Sequence, residues 1–403
     1  MMASEWRTAK LGELVSFKTG KLDSNAAVPD GDYPFFTCSQ ETLRTNTYSF
    51  DTECVLLGGN NANGIFPLKY FKGKFDAYQR TYVVKPHDSG QLTTKFLYYA
   101  LRPKLSELRN ISTGAATKFL TLTILNETAI EVPSLAEQHR IASVLSAYDE
   151  LIENNQRRIR ILEEMARSLY REWFVHFRYP GHESVPLVDS PLGPIPQGWE
   201  VKKLGGGVSV DKGVSYNGAG LTEDGNPMIN LKNILPGGGF RRDATKPYSG
   251  DFKPRHTVRP GDIILANTDL TQAGNVVASA ALVPHFADER PILISHHLFA
   301  VRFVQNVPTT FIYHLMLEDG FRGFAKGFAI GTTVLGLPKE GVLNFTFAYP
   351  SEKLIATFVK HVAPIHLHIE ILLEQAENLR RTRDLLLPRL LSGKVRLLPE
   401  DAA

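Results

Sequence analysis

The chain has 403 residues, enough for two or three domains with separate cores. Its 43% hydrophobic and 22% charged content is that of a globular protein, and no run approaches the roughly 20 apolar residues of a membrane helix. Two cysteines, Cys38 and Cys54, exclude a disulfide framework and a four-ligand zinc site, and a formal charge of +3 leaves any nucleic-acid case to local patches.

In chain order, residues 1–14 turn amphipathic at once and lack the apolar core of a signal peptide, so a reducing cytoplasm is the expected location. Residues 1–133 read as a β-rich domain. Apolar runs at 53–57 and 81–84 are bounded by Gly, Asn, Pro and Asp, and a helix is expected at 94–101. From 134 to 178 the pattern turns helical. Alternating steps of four and three give Ile141, Leu145, Tyr148, Ile152, Asn155, Ile159, Leu162, Ala166, Leu169 and Trp173, a 3.5-residue seam that argues for a coiled coil. Five prolines between 180 and 197 make 179–198 an extended linker. A second β-rich domain is expected at 199–350, with strands at 262–265 and 298–303 and a helix at 311–318. A second long helix occupies 351–397 with the seam Phe358, Val362, Ile365, Ile369, Leu372, Ala376, Leu379, Arg383, Leu386 and Leu390, and 398–403 form a tail. Either seam is on the order of 50 Å long at about 1.5 Å per residue. Pro364, and a capping-like start at 146–149 in the first copy, predict that each long helix comes in two pieces, broken near 146 and 363.

The second half of the chain repeats the first. WRTAKLG at 6–12 returns as WEVKKLG at 199–205, an offset of 193. TGAAT at 113–117 returns as IGTTV at 330–334, and PSLA at 133–136 as PSEK at 350–353, both at 217. The second copy therefore carries 24 extra residues between its tryptophan and its glycine loop. Nine of ten seam positions are apolar or aromatic in each copy, and the polar members, Asn155 and Arg383, do not align. The expected fold class is α+β: two β-rich domains in tandem, each followed by a long helix, the two helices packing as an antiparallel coiled coil. Ile159, Leu162, Leu169, Leu379 and Leu386 are assigned to its seam.

Catalytic motifs do not emerge. There is no GxxxxGKS or GxxxxGKT phosphate loop, no Asn-Pro-Pro-aromatic methylation motif, and the glycines at 205–207 and 237–239 read as turns. His361, His366 and His368 have spacings of five and two rather than the four of helical metal sites, so they read as solvated flanks of the seam and no metal is expected. Reading DNA requires donors and acceptors on loops, with Lys or Arg on the phosphates. In the first domain, residues 69–80 interleave basic, aromatic and amide groups and offer Lys72, Lys74, Tyr78, Gln79 and Arg80; an exposed hairpin with solvated lysines is the alternative. Thr117 and Lys118 lie on the glycine loop, and Asn60, Asn61 and Asn63 are base readers or a structural turn. The second domain offers Asn267, Thr268, Gln272, His296, His297, Arg322, Lys326, Thr332 and Thr333, while Arg241 and Arg242 are phosphate contacts or solvated charge.

This order of parts resembles the specificity (S) subunit of type I restriction–modification enzymes over essentially the whole chain. GPIPQGWEVKKLG at 193–205, PSLAEQHRI at 133–141, LEEMARSLYREWF at 162–174 and LPRLLSGK at 387–394 carry the resemblance. One departure is SEKLIA at 351–356, where the Glu-Gln element of the family usually stands; it puts the equivalence of the two partner-binding surfaces in doubt. The resemblance implies a non-catalytic DNA-reading subunit that recognises a split, asymmetric site with one half per β-rich domain. It also implies two methyltransferase (modification) subunits docked on the helices and motor-nuclease (restriction) subunits bound through them. S-adenosylmethionine, ATP and magnesium then belong to those partners, and no cofactor to this chain. Arg157, Arg158, Arg167 and Arg171, on the polar faces of the helices, are the candidate methyltransferase contacts, with solvated charge as the alternative. The competing reading of the whole is a coiled-coil scaffold that positions other proteins without reading DNA.

Overall fold

The computed structural model describes residues 6–61, 64–114, 117–286, 289–304, 307–395 and 397. It divides into two units, one running to Asn154 and resuming at Gln375, the other Asn155–Glu374.

The first unit holds β1 (Arg7–Lys10), α1 (Leu11–Leu14), β2 (Val15–Thr19), β3 (Tyr33–Phe36), β4 (Leu43–Thr45), β5 (Phe50–Gly58), β6 (Asn60–Asn61), β7 (Leu68–Ala77) and β8 (Thr81–Pro86). It continues with α2 (Thr94–Leu101), α3 (Lys104–Ile111), β9 (Lys118–Phe119), α4 (Leu122–Glu127) and β10 (Ala129–Val132). Six strands form one sheet in the order β2-β8-β5-β7-β3-β4, with β3 and β7 parallel. The central strand β5 is apolar on both faces because side chains alternate along a strand. Val55 and Leu57 pack with Phe96 and Leu97 of α2, while Cys54 and Leu56 pack with Phe36 and Phe75 on the other side.

The long helix α5 (Leu135–Tyr170) starts in the first unit and ends in the second, followed by a single wide turn, Arg171–Val175. The second unit continues with β11 (Leu187–Val188), β12 (Ile195–Pro196), β13 (Glu200–Lys203), β14 (Val208–Lys212), β15 (Leu221–Ile229), β16 (Lys246–Tyr248), β17 (Thr257–Val258), β18 (Ile263–Ala266) and β19 (Thr268–Asp269). Then come β20 (Ala280–Leu282), β21 (Ile292–Ile294), β22 (Leu298–Phe303), α6 (Thr309–Leu317), α7 (Asp319–Lys326), β23 (Leu335–Gly336), α8 (Glu340–Leu343), β24 (Thr346–Tyr349) and α9 (Glu352–Leu391). Its strands form two four-stranded sheets, β14-β22-β18-β20 and β16-β15-β21-β17. The stretch 179–198 is not simply extended, as its prolines suggest. Tyr179 and Ile195 are buried, Tyr179 stacks on Trp199, and β11 pairs with β12.

Strand pairing locates the duplication residue by residue. Thr19 and Lys212 occupy one place, Leu57 and Leu265 another, Leu68 and Ala280 a third, Tyr82 and Phe299 a fourth. The offset thus grows from 193 to 208, 212 and 217, so the extra residues of the second copy enter as several insertions. The largest lies between β14 and β18. Another splits the equivalent of β7 into β20 and β21.

The long helices begin alike. Ser134 and Ser351 accept from the amides of Glu137 and Leu354, as helix-capping serines do. Both helices are continuous, contrary to the two-piece expectation. Pro364 sits inside α9, but it and Lys360, whose carbonyl loses its donor, both lie on the exposed face, where the carbonyl is open to solvent rather than buried unpaired. Meanwhile Phe358 and Val362 are fully buried on the opposite face and hold the helix straight through. In the first unit Ile141 and Leu145 of α5 share a core with Leu387 and Leu390 of α9, and Asp149 pairs with Arg383. In the second, Arg158 meets His368 at 3.0 Å, and Tyr170 and Trp173 pack on Phe358. Rising numbers on one helix meet falling numbers on the other, so the pair is antiparallel in both units. Ile159 is buried at the seam, and Leu162, Leu169, Leu379 and Leu386 are half-buried.

The polar seam residue Arg383 is held by Asp149, which also accepts from Tyr99 Oη at 2.8 Å and lies 3.5 Å from Arg102. Gln138, of the Glu-Gln element, is fully buried. Its Nε2 donates to the carbonyls of Gln91 (2.8 Å) and Pro133 (3.0 Å), and its Oε1 accepts from Thr93 N–H (2.9 Å). In the second copy Ile355 replaces it and is buried, while the helix-capping place of Thr93 is taken by Pro308, which has no N–H to offer. At this position the departure from the family pattern changes an internal lock rather than an outer face.

Candidate nucleic-acid interface

Each unit presents the same turn, built by a glycine. Gly20 follows β2 and Gly213 follows β14, and their N–H groups donate to Thr81 O (3.3 Å) and Leu298 O (3.2 Å). A Cβ would lie 1.8 Å from the Ala77 carbonyl oxygen in the first case and 2.2 Å from that of Ile294 in the second, so no larger residue allows the crossing. Just beyond, Leu22 bridges to Tyr78 and Val214 to Ser295. Tyr78 N–H donates to Phe36 O and Ser295 N–H to Ile229 O; Gln79 N–H donates to Leu22 O and His296 N–H to Val214 O. Finally Arg80 O accepts from Gly59 N–H at 2.7 Å, as His297 O does from Asn267 N–H at 3.0 Å. The backbone is the same at an offset of 217. The side chains are not: Tyr78, Gln79 and Arg80 stand where the second unit has Ser295, His296 and His297.

A two-stranded ribbon and a glycine loop lie beside each turn. β6 pairs with β9 and β19 with β23, so Asn60 faces Phe119 and Thr268 faces Gly336. The loops close at Thr113–Phe119 and Ile330–Gly336 bridges. Gly114 (φ +102°) and Gly331 (φ +142°) start them, and in each a Cβ would fall 2.0 Å from the carbonyl oxygen three residues on, Thr117 or Val334. In the first unit the Arg80 guanidinium lies over the Phe119 ring at 5.5 Å. Arg109 of α3 and Lys118 both reach the Gly64 backbone, with Cγ atoms 3.0 and 3.3 Å from where a Cβ would stand. The turn, the ribbon and three cations thus share one surface. Arg109 escaped the sequence reading, yet it stands four residues before Thr113 as Lys326 stands before Ile330; subtracting 217 from Lys326 finds it.

In the second unit the His296 and His297 rings lie 3.9 Å apart, and Nδ1 of each is buried without a hydrogen-bond partner. Burial, then the charge of Lys212, pushes His296 below the ordinary histidine range; burial and then His296 do the same to His297. Both are therefore neutral imidazoles that can donate and accept. Lys212, just before Gly213, is a second residue the sequence reading missed, and no motif marks it. Asn267 and Thr268 are buried and spent internally: Asn267 Nδ2 donates to His296 O, and Thr268 Oγ1 to Asn267 Oδ1 at 2.7 Å. Gln272, Thr332 and Thr333 are exposed, whereas Lys326 is half-buried. Arg322 is largely covered, near Asp319 and the Asn275 carbonyl.

Other candidates fall elsewhere. Lys72 and Lys74 lie along β7, away from the turn, Lys72 3.9 Å from Glu53 and Lys74 over the Tyr48 ring. Thr117 and Lys118 are half-buried on the glycine loop, Asn60 and Asn61 are in the ribbon, and Asn63 lies outside the described residues. Of the helix arginines, Arg167 donates to Gly237 O and Arg171 pairs with Glu318, both within the second unit, while Arg157 and Arg158 are on the exposed face. His366 is not a solvated flank: it packs against His314 in the core. Among the described residues no three His, Cys, Asp or Glu side chains gather to hold a metal, and no helix is long and apolar enough to cross a membrane.

A β-rich module is thus built twice, with one set of backbone contacts, two sets of side chains at the turn, and a long helix after each copy. Residues 3–164, the first copy, match the family model described as the type I restriction modification DNA specificity domain. Among curated relatives, the MjaVIII specificity subunit of Methanocaldococcus jannaschii is 24% identical over 98% of this chain and 93% of its own length. The EcoDI specificity subunit of Escherichia coli is 37% identical, over 40% of this chain and 35% of that protein. The crystal structure of a type I restriction–modification S subunit from M. genitalium shares the fold, with a TM-score of 0.54 and 16% identity over 96% of both chains. The family model over the first copy and the curated relatives over most of the chain thus liken it to the specificity subunits of type I restriction–modification systems.

Proposed function

We propose that this chain supplies DNA sequence recognition to a type I restriction–modification complex and performs no catalysis itself. Each unit reads one half of a split, asymmetric site. The observation that carries this is the turn made twice with matching backbone bonds, filled by Gln79 and Arg80 in one unit and by two neutral imidazoles, His296 and His297, in the other. A shared scaffold with unlike donor sets suits two different half-sites, because bases are told apart by the pattern of donors and acceptors at their edges. Arg109, Lys118, Lys212 and Lys326 flank these groups as phosphate contacts, with Gln272, Thr332 and Thr333 as further readers. Two methyltransferase subunits dock on α5 and α9, with Arg157 and Arg158 in the contact, and motor-nuclease subunits join through them. S-adenosylmethionine, ATP and magnesium are held by those partners in the cytoplasm.

Methylation-site mapping in cells with and without the gene tests this reading. A split motif that vanishes on deletion is expected. An unchanged methylation pattern, or purified methyltransferase complex that shows no sequence preference on duplex libraries, refutes it in favour of a scaffold.

A further inference from the structure

The two ribbons differ in chemistry at matching positions. In the first unit the loop carries Thr113, Thr117 and Lys118; at an offset of 217 the second carries Ile330, Val334 and Leu335. Ile330 is 76% exposed and Val334 44%, and Leu270, just past the end of β19, is 58% exposed. Thr268 pairs with Gly336 and Asp269 with Leu335, so Leu270 and Val334 are the residues next to the end of this ribbon. Ile330 is joined to Gly336 by two backbone hydrogen bonds of 2.9 and 2.8 Å, which keeps it at the base of this ribbon. The strand that leads into Leu270 is braced as well. The Asp269 carboxylate accepts from Thr271 N–H and Oγ1–H and from Val276 N–H, at 2.7–2.9 Å. Three exposed aliphatic side chains are thus carried beside a braced backbone; in the chain Ile330 and Val334 adjoin the hydroxyl-bearing Thr332 and Thr333, in a stretch that runs from Lys326 to the exposed Lys339.

Exposed aliphatic groups in a cationic, otherwise polar reading surface require an apolar feature on the ligand. In the major groove, which admits a two-stranded ribbon, that feature is the C5-methyl group of thymine. We propose that Leu270, Ile330 and Val334 read thymine methyls in the half-site taken by the second unit. The proposal rests on the DNA-reading function above and names the bases through which one half-site is chosen.

The test uses the full chain in complex with its methyltransferase subunits and a duplex carrying the mapped split motif, with thymines replaced by uracil in one half or the other. Wild-type complex is expected to bind about fourfold more weakly per methyl removed, in one half only. A variant with Leu270→Ala, Ile330→Ala and Val334→Ala is expected to bind thymine and uracil duplexes alike, and to match the wild type on uracil, which also shows that it is folded. A half-site pair lacking thymine, a wild type indifferent to uracil while still selecting the split motif, or a variant that keeps the full uracil penalty each overturns the proposal and leaves the function standing. A variant that keeps the penalty but loses methyltransferase subunits reassigns the patch to a protein contact and also overturns it. Failure to distinguish the motif from random DNA removes the function itself.

Discussion

Acid should unfold the second unit through one histidine pair. His366 of α9 and His314 of α6 stack with ring centres 5.2 Å apart and Nε2 atoms at 3.1 Å, so one Nε2–H donates to the lone pair of the other and both rings are neutral. Tyr170 stacks on His314, Tyr313 meets His366 edge-on, and Arg167 adds positive charge nearby. Burial lowers the His366 pKa to about 4, and burial, then His366 and Arg167, hold His314 well below the ordinary value. A base whose pKa is depressed by folding favours the unfolded chain once protons become available. The stability is therefore full above about pH 6.5 and is lost progressively as the pH falls toward 4. For His366 alone the loss is about 2 kcal/mol at pH 5 and about 3 kcal/mol at pH 4, with His314 adding to it. Denaturant unfolding between pH 8 and 4.5, followed by tryptophan fluorescence, reads this directly, since Trp173 and Trp199 lie in the second unit and Trp6 in the first. The double variant His314→Phe, His366→Phe should show a much flatter pH dependence in that transition. If wild type and double variant lose stability in parallel from pH 7 to 5, the pair is not the cause and the argument fails.

Arg80→Ala should leave the melting temperature nearly unchanged, since the residue is exposed and its contact with Phe119 is worth about 0.5–1 kcal/mol. It should relax one base pair of one half-site by about 1–3 kcal/mol, checked by methylation mapping; equal weakening on every sequence identifies a phosphate contact instead. Gly331→Ala, forced to φ +142° with its Cβ against the Val334 carbonyl, should reshape the glycine loop at a cost of about 1–3 kcal/mol and blur only the half-site of the second unit. Asp149→Ala should destabilise the first unit more than Arg383→Met does. The former takes the acceptor from Tyr99 Oη and leaves the largely covered Arg383 guanidinium only the exposed Asp384, whereas the latter leaves Asp149 with Tyr99 and Arg102. Its cost is about 2–4 kcal/mol, read by denaturant titration, and the opposite ranking of the two variants refutes the account.

Local pattern made much of this molecule legible. The 3.5-residue spacing from Ile141 to Trp173, and again from Phe358 to Leu390, marks the helices because a buried stripe must recur at the helical period. The Pro-Ser starts, the glycine loops and the order of the two copies follow from residues adjacent in the chain. The candidate readers at 78–80 and 296–297 were likewise visible, although nothing in their side chains shows that they occupy one turn. Tyr-Gln-Arg and Ser-His-His share no composition; they share carbonyl and amide partners, which are contributed by strands tens of residues away. The same holds for Asn267 and Thr268, polar residues whose groups are consumed by His296 and by each other, and for His366, whose partner His314 lies 52 residues upstream.

Periodicity and repetition thus reach as far as neighbours along the chain can carry information: two copies, two rods, and where each begins. The rest depended on long-range packing. Burial of Phe358 and Val362 carries α9 straight through Pro364, and Gln138 can exchange with Ile355 because Thr93, which offers an N–H, exchanges with Pro308, which offers none. Such choices balance backbone preference against contacts made across a sheet or between helices, and those contacts exist only once distant segments have met.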